Sequence, residues 1–298
     1  EYKLYHCPKC DLQWWEPLKI VPEFYEQEGE EAYAIFHMGI NQTIGENHKM
    51  FFKHMPLKSG RLLDVGCGDG VFLAEAQRRG YEVWGIDFDR KSIRVCQEKK
   101  GLKNTFAMTP QEFAEFCQKE GLRFDIITFF EVLEHQDKPK EFLEAVKSML
   151  RPGGWIAGSV PNRESMWIRL YNKFNKNSDY PPNHLIRFNN YSLNFLLKQY
   201  FILREVYFCN PIMNSVFYEM LKLIKSKIYH DSSLIYRAED NHSINADIKV
   251  SNIHLRKIFK TVVLKPALNL IGIIMAFIYG NDSTIYFQSK IGSEGAVK

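Results

Sequence analysis

The chain is poor in the features that mark specialised classes of protein. Six cysteines in 298 residues are too few and too scattered for a disulfide framework, so a reducing, cytoplasmic setting is the expectation. Charge of neither sign dominates: 39 Lys and Arg face 35 Asp and Glu, a net +4. Basic side chains are not interleaved with aromatic ones along a positive stripe, which argues against nucleic acid as a partner. The most apolar stretch, residues 267–279, falls short of the ~20 residues that span a bilayer. It reads as a buried helix beside a last strand. The first residues carry no secretory signal pattern. What charge excess exists lies late in the chain. Residues 211–298 hold 11 basic and 7 acidic side chains, whereas residues 1–210 hold 28 of each.

One segment stands out from this plain background. Arg61-Leu-Leu-Asp-Val-Gly-Cys-Gly-Asp-Gly-Val-Phe72 reads as a buried strand, a glycine-rich turn and the start of a helix. Gly66, Gly68 and Gly70 have no Cβ, so the backbone can approach a ligand closely and take positive φ. The helix that follows aims its amide-rich N-terminus at the same place. The spacing is not the Gly-x-Gly-x-x-Gly that admits a pyrophosphate. Asp64 and Asp69 beside the glycines suit a cationic or amine-bearing ligand instead.

A second strand, Val83-Trp-Gly-Ile-Asp87, ends in an acid 23 positions after Asp64. An acid at that tip can accept both hydroxyls of a ribose. The competing role is to cap the helix beginning near Arg90. Phe88 beside it is placed to lie on an adenine face or simply to pack. Asn104–Met108 and Phe124–Phe129 read as further strands, the latter a near-continuous apolar run suited to a parallel sheet buried on both faces. Helices are expected at 110–119 and 139–150. Phe142, Leu143, Val146, Met149 and Leu150 form an apolar stripe at helical spacing in the second. Leu150-Arg-Pro-Gly-Gly-Trp155 predicts a turn, followed by a strand over 155–160. Strand and helix alternate five times, which predicts a largely parallel α/β sheet with helices on both faces.

Leu-Asp-Val-Gly-Cys-Gly, Gly-Ile-Asp, Glu-Val-Leu-Glu-His and Leu-Arg-Pro-Gly-Gly, in that order, resemble the class I S-adenosylmethionine-dependent methyltransferases over residues 40–210. The resemblance implies a Rossmann-like, seven-stranded sheet whose last strand is antiparallel. Residues 201–209 and 283–288 would supply its last two strands. It implies S-adenosylmethionine as cofactor, held by Asp64, Gly66, Cys67, Gly68 and Asp87. Phe88, Met108 and Phe130 would lie beside it, with Thr109 a weaker candidate. A nicotinamide-dependent oxidoreductase and a non-catalytic binding module of the same fold are the rival readings.

Glu131, Glu134 and His135 follow the fourth strand of the alternating set, on the rim where open α/β sheets bind ligands. Three roles stay open. His135 can act as a general base on a hydroxyl or amine acceptor, because imidazole titrates near neutrality. Alternatively, Glu-x-x-Glu-His resembles the divalent-ion segment of small-RNA 3′-end methyltransferases and some quinone O-methyltransferases, with His184 as the further ligand. Such a set suits Zn²⁺, Mn²⁺ or Fe²⁺ better than Mg²⁺. The third role is structural, shaping the pocket through hydrogen bonds. His184 stands in a Pro-x-His-Leu-x-x-Phe block that borders the substrate pocket in the family, or else packs against or caps the helix expected at 191–199.

Cys7-Pro-Lys-Cys10 has the spacing of a zinc knuckle, but no second pair lies nearby. With Leu12-Gln-Trp-Trp-Glu-Pro17 it resembles the zinc-ribbon leader of some relatives, and a first knuckle is expected to precede Glu1 in the intact protein. A redox pair fits less well, since no thioredoxin-like strand precedes it. The expected organisation is a leader (1–20), a helical lid (21–57) with helices near 22–29 and 41–55 and Tyr33 near the cofactor, and a catalytic domain (58–210 and 281–298). A helical insertion (211–280) would cover the substrate. The expected acceptor is a small molecule, a sugar or a lipid-linked glycan or quinone. The basic and apolar insertion also allows contact with an anionic membrane surface.

Overall fold

The computed structural model describes residues 1–21, 37–39, 43–165, 168–169, 179–209 and 284–291. Along the chain these form β1 (Lys3–His6), β2 (Gln13–Glu16), α1 (Glu46–His54), β3 (Gly60–Val65), α2 (Val71–Arg78), β4 (Tyr81–Asp87), α3 (Arg90–Glu98), β5 (Thr105–Ala107) and α4 (Pro110–Glu120). There follow β6 (Phe124–Phe130), α5 (Pro139–Met149), β7 (Leu150–Pro161), β8 (Ile186–Arg187), α6 (Asn190–Leu197), β9 (Ile202–Cys209) and β10 (Thr284–Lys290). A 3-10 turn, Leu133–His135, follows β6.

Seven strands make one sheet in the order β5-β4-β3-β6-β7-β10-β9. β3 to β7 pair in parallel, and β10 runs antiparallel to both of its neighbours. The strand order reverses between β3 and β6, and ligands bind at the carboxyl ends beside such a switch point. Successive strand residues face opposite sides. Leu62 packs with Phe51, Phe72 and Ile93 of α1, α2 and α3, while Leu63 packs with Phe113, Phe142 and Leu193 of α4, α5 and α6. Helices therefore cover both faces.

The turn expected at 150–155 is absorbed into β7. Phe124 pairs with Leu150 but Ile126 pairs with Trp155, so residues 151–154 bulge out of the ladder. Gly153 at φ +75° makes the bend. A second, three-stranded sheet, in the order β1-β2-β8, had no counterpart in the sequence reading. β2 pairs Gln13 with Arg187 and Trp14 with Ile186.

The lid helix at 22–29, Tyr33 and the insertion 211–280 lie outside the described residues, so the domain division stays an expectation there. The helix expected over 41–55 is α1. No helix among the described residues is long and apolar enough to cross a membrane.

Candidate active site

The glycine turn takes the predicted form. Gly66, Gly68 and Gly70 have φ of +75°, +50° and +76°, which L side chains rarely adopt. A Cβ on Gly66 would stand 2.5 Å from Val132 Cγ2, so no larger residue fits there. The Gly68 N–H donates to Asp87 Oδ2 and the Asp89 N–H to Asp87 Oδ1, both at 2.9 Å. Asp87 is thus held at the lip of the turn, and each oxygen keeps acceptor capacity for a diol. The cap of α3 is Asp89, which accepts from Lys91 N and Ser92 N, so capping is not the role of Asp87.

Asp64 is buried and accepts from Thr128 Oγ1 at 2.7 Å. Burial, with the Asp87 charge adding to it, pushes its carboxyl up to about 8. Burial pushes Asp87 up to about 6. Two carboxyls poised to ionise near neutrality suit a ligand with positive charge and hydroxyl donors. A pyrophosphate would be repelled. Asp69 faces Lys100 Nζ at 3.6 Å, so its charge is answered within the protein.

The other sequence candidates divide. Met108 N donates to Asp87 O at 3.0 Å, which puts Met108 beside the acid. Phe88 is 41% exposed next to it. Phe130 is buried, its ring 4.7 Å from His48 and 4.9 Å from Phe72. The Cys67 thiol is buried, and a Cβ on Gly85 would stand 2.9 Å from its sulfur. What Cys67 offers a ligand is therefore backbone. Thr109 caps α4, accepting from Glu112 N.

The acid–histidine cluster assembles from two stretches about 50 positions apart in the chain. β6 ends in Phe130, Glu131 takes the left-handed φ of +53°, and the following turn brings Glu134 and His135 inward. His184 arrives from the segment before β8, its ring centre 4.9 Å from that of His135. One ligand atom from each of Glu134, His135 and His184 lies within 4.8 Å of the others. His135 Nδ1 lies 2.5 Å from Asn183 O, a carbonyl that only accepts, so Nδ1 carries the proton. Its Nε2 is 3.8 Å from Glu134 Oε1. Burial, with His184 adding to it, lowers His135 to about 3 and keeps it neutral. His184 Nδ1 is likewise engaged, with Asp179 Oδ1 at 3.2 Å.

Neither oxygen of Glu134 has a hydrogen-bond partner among the described residues, and its side chain is 1% exposed. Burial, with the Glu131 charge adding to it, drives its carboxyl well above the usual range. Glu131 accepts from Ser159 Oγ at 2.7 Å, and Ser159 accepts from Asn47 Nδ2 of α1 at 3.1 Å. Neither Ser159 nor Asn47 was a sequence candidate. A serine within the apolar second half of β7 was the only hint. His184 does not cap the next helix, since Asn189 does.

Cys7 and Cys10 sit in the turn joining β1 to β2. Cys7 N donates to Leu12 O and Asp11 N to Cys7 O. N–H groups of Cys10 and Lys9 lower the Cys7 thiol. Among the described residues no third ligand completes a set here. The hairpin is tied down through Asp11, which accepts from Arg163 at 2.5 Å and Asn189 at 2.6 Å.

A seven-stranded sheet with one antiparallel strand, a glycine turn under an acid, and a second acid at the tip of β4 define the class I S-adenosylmethionine-dependent methyltransferase fold. Residues 40–200 match the methyltransferase-domain family, and the chain belongs to it. Two relatives are ubiquinone biosynthesis O-methyltransferases. The one from Bordetella avium is 34% identical over 110 residues, 36% of this chain and 45% of that protein. The one from Bordetella bronchiseptica is 30% identical over 157 residues, 51% of this chain and 57% of that protein. The chain thus spans about half the length of these relatives. Among solved structures, an S-adenosylmethionine-dependent methyltransferase from Thermotoga maritima superposes with a TM-score of 0.52 at 14% identity, covering 91% of this chain and all of that one. Phosphoethanolamine N-methyltransferase 2 of Haemonchus contortus gives 0.51 at 15% identity, covering 91% of this chain and 59% of that one. At these identities the likeness is one of fold.

Proposed function

We propose that this chain transfers the methyl group of S-adenosylmethionine to a hydroxyl of a small molecule, a quinone-type ring being the favoured acceptor. The observation that carries the proposal is the pairing of two sites on one sheet rim. Asp64, Gly66, Gly68 and Asp87 suit a cationic, ribose-bearing cofactor, and the Glu131, Glu134, His135 and His184 set stands at the tip of the adjacent β6. The cofactor supplies a methyl group on a good leaving group, so the protein's task is mainly to position and deprotonate the acceptor. The names of the Bordetella relatives support the acceptor class.

Incubation with methyl-labelled S-adenosylmethionine and cell extract, followed by phase partition, tests this. Label in the organic phase supports a quinone or lipid-linked acceptor, and label in the aqueous phase moves the acceptor to a sugar or polar metabolite. Cofactor binding with no label in either phase overturns methyl transfer in favour of a binding module.

The geometry favours one of the three roles for the cluster. Both imidazoles have Nδ1 engaged by an acceptor, and the buried Glu134 carboxyl has no hydrogen-bond partner among the described residues, which is how a divalent-ion site is prepared. Glu134, His135 and His184 would hold the ion. Bound there, it would lower the pKa of an acceptor hydroxyl. Chelation should abolish turnover and Mn²⁺ or Zn²⁺ should restore it, while full activity after stripping returns His135 to the role of base. Zinc at Cys7 and Cys10 needs two further donors. A Co²⁺ charge-transfer band lost in Cys10→Ser is its test. A substrate cover and membrane contact by residues 211–280 remain proposals, checked by vesicle co-sedimentation of the full chain.

A further inference from the structure

Asp179 was not a sequence candidate, yet it is the most heavily engaged carboxylate near the cluster. Its side chain is 11% exposed. Oδ1 faces His184 Nδ1 at 3.2 Å, and Oδ2 accepts from Arg187 Nε at 2.9 Å, with Arg187 Nη2 also at 2.9 Å. Arg187 in turn donates to Gln13 Oε1 at 3.2 Å, and the β2–β8 register places Gln13 opposite Arg187. A carboxylate paired with a guanidinium only accepts hydrogen bonds. The shared proton must therefore reside on His184 Nδ1. That leaves Nε2 as the atom with a lone pair, on a ring whose rotation the same bond restricts.

We infer that Asp179 is a positioning residue for the acid–histidine cluster, setting the tautomer and orientation of His184 through its Nδ1–H. This rests on the methyl-transfer function proposed for the cluster. The two imidazoles are set by different acceptors: His135 by the neutral carbonyl of Asn183, and His184 by a carboxylate. A charged acceptor makes the stronger hydrogen bond and so holds the ring more firmly than a neutral carbonyl does. The N-terminal hairpin takes part, because β2 braces the arginine that braces the acid.

The test compares Asp179→Ala, Asp179→Asn and Arg187→Met in the full chain. Long-range ¹H–¹⁵N correlation of the histidine rings reads the tautomer without requiring turnover. Wild-type His184 should show a protonated Nδ1, and both Asp179 variants should lose it. Methyl transfer into extract should fall about 10- to 100-fold in those variants, while S-adenosylmethionine affinity stays within about twofold. Arg187→Met keeps the acceptor and should keep the Nδ1–H. Asp179→Asn preserves the volume of the loop if Asp179→Ala does not fold. A wild-type tautomer and rate in Asp179→Asn overturn the inference. So does a parallel loss of cofactor affinity and melting temperature, since that marks a purely structural brace. Full turnover in His184→Ala overturns the cluster's function and this inference together. An inactive His184→Ala beside an unaffected Asp179→Asn overturns this inference alone.

Discussion

Asp64 and Asp87 lie close enough for the charge of one to bear on the other, and no cation among the described residues stands beside either to keep it ionised in the free protein. Both folded-state carboxyls titrate above the ordinary range near 4. The folded chain then holds more protons than the unfolded one between about 4 and about 8, so its stability without ligand should decline as pH rises through that window. A cationic cofactor favours the ionised carboxylates, so binding should expel protons and tighten with pH across the same range. Calorimetry at pH 7 in two buffers of different ionisation enthalpy should show proton release, and proton uptake would contradict the assignment. Glu134 makes the complementary case. A buried carboxyl with no hydrogen-bond partner among the described residues costs about 1 to 3 kcal/mol. Glu134→Leu should therefore raise the melting temperature of the ligand-free protein while abolishing methyl transfer. A lower melting temperature would show that the carboxyl is satisfied in the free protein.

At the scale of elements, the hairpin β1–β2 is more than a leader. It adds β8 as a third strand, and β8 follows directly on His184. Trp15 N donates to Leu185 O, and Ile20 N to Asp137 beyond His135, so the hairpin grips the chain next to both histidines. Asp11→Ala removes the acceptor shared by Arg163 and Asn189. Hydrogen exchange should then show lost protection at Trp14, Trp15 and Ile186, with the amides of β3 and β6 unchanged and methyl transfer reduced. Retained protection at Trp14 would mean that the ladder alone holds the hairpin. None of this pairing was legible locally. Residues 13–16 and 186–187 are too short to show a period, and they meet across some 170 positions of sequence. The near-continuous apolar run of β6 was legible because burial on both faces leaves a composition that local reading can detect, and β3 and β4 were legible from the glycine turn and the acid that end them.

For the whole molecule, the last described strand is also a central one. β10 lies between β7 and β9 and pairs with β7 over seven positions. Ile285, Tyr286 and Phe287 are fully buried, worth roughly 2 kcal/mol each and so about 6 kcal/mol together. Net stabilities are about 5–15 kcal/mol, so a chain ended at residue 283 should not fold cooperatively. Circular dichroism melting of that truncation would check it, and a sharp transition would show that β9 can pair with β7 directly.

The sequence by itself determined the alternation of strands and helices, the glycine turn and the acid at the tip of β4. These depend on residues close in the chain, where period, turn chemistry and spacing suffice. It also placed Glu131, Glu134, His135 and His184 as candidates while leaving their role open among base, ligand and scaffold. Only the tertiary structure decided that the two histidines stand 4.9 Å apart, that Asp179 and Asn183 engage their Nδ1 atoms, and that Ser159 and Asn47 hold Glu131. Such partners are brought together by the packing of the sheet and the hairpin, and one-dimensional spacing carries no record of which distant side chains that packing will join.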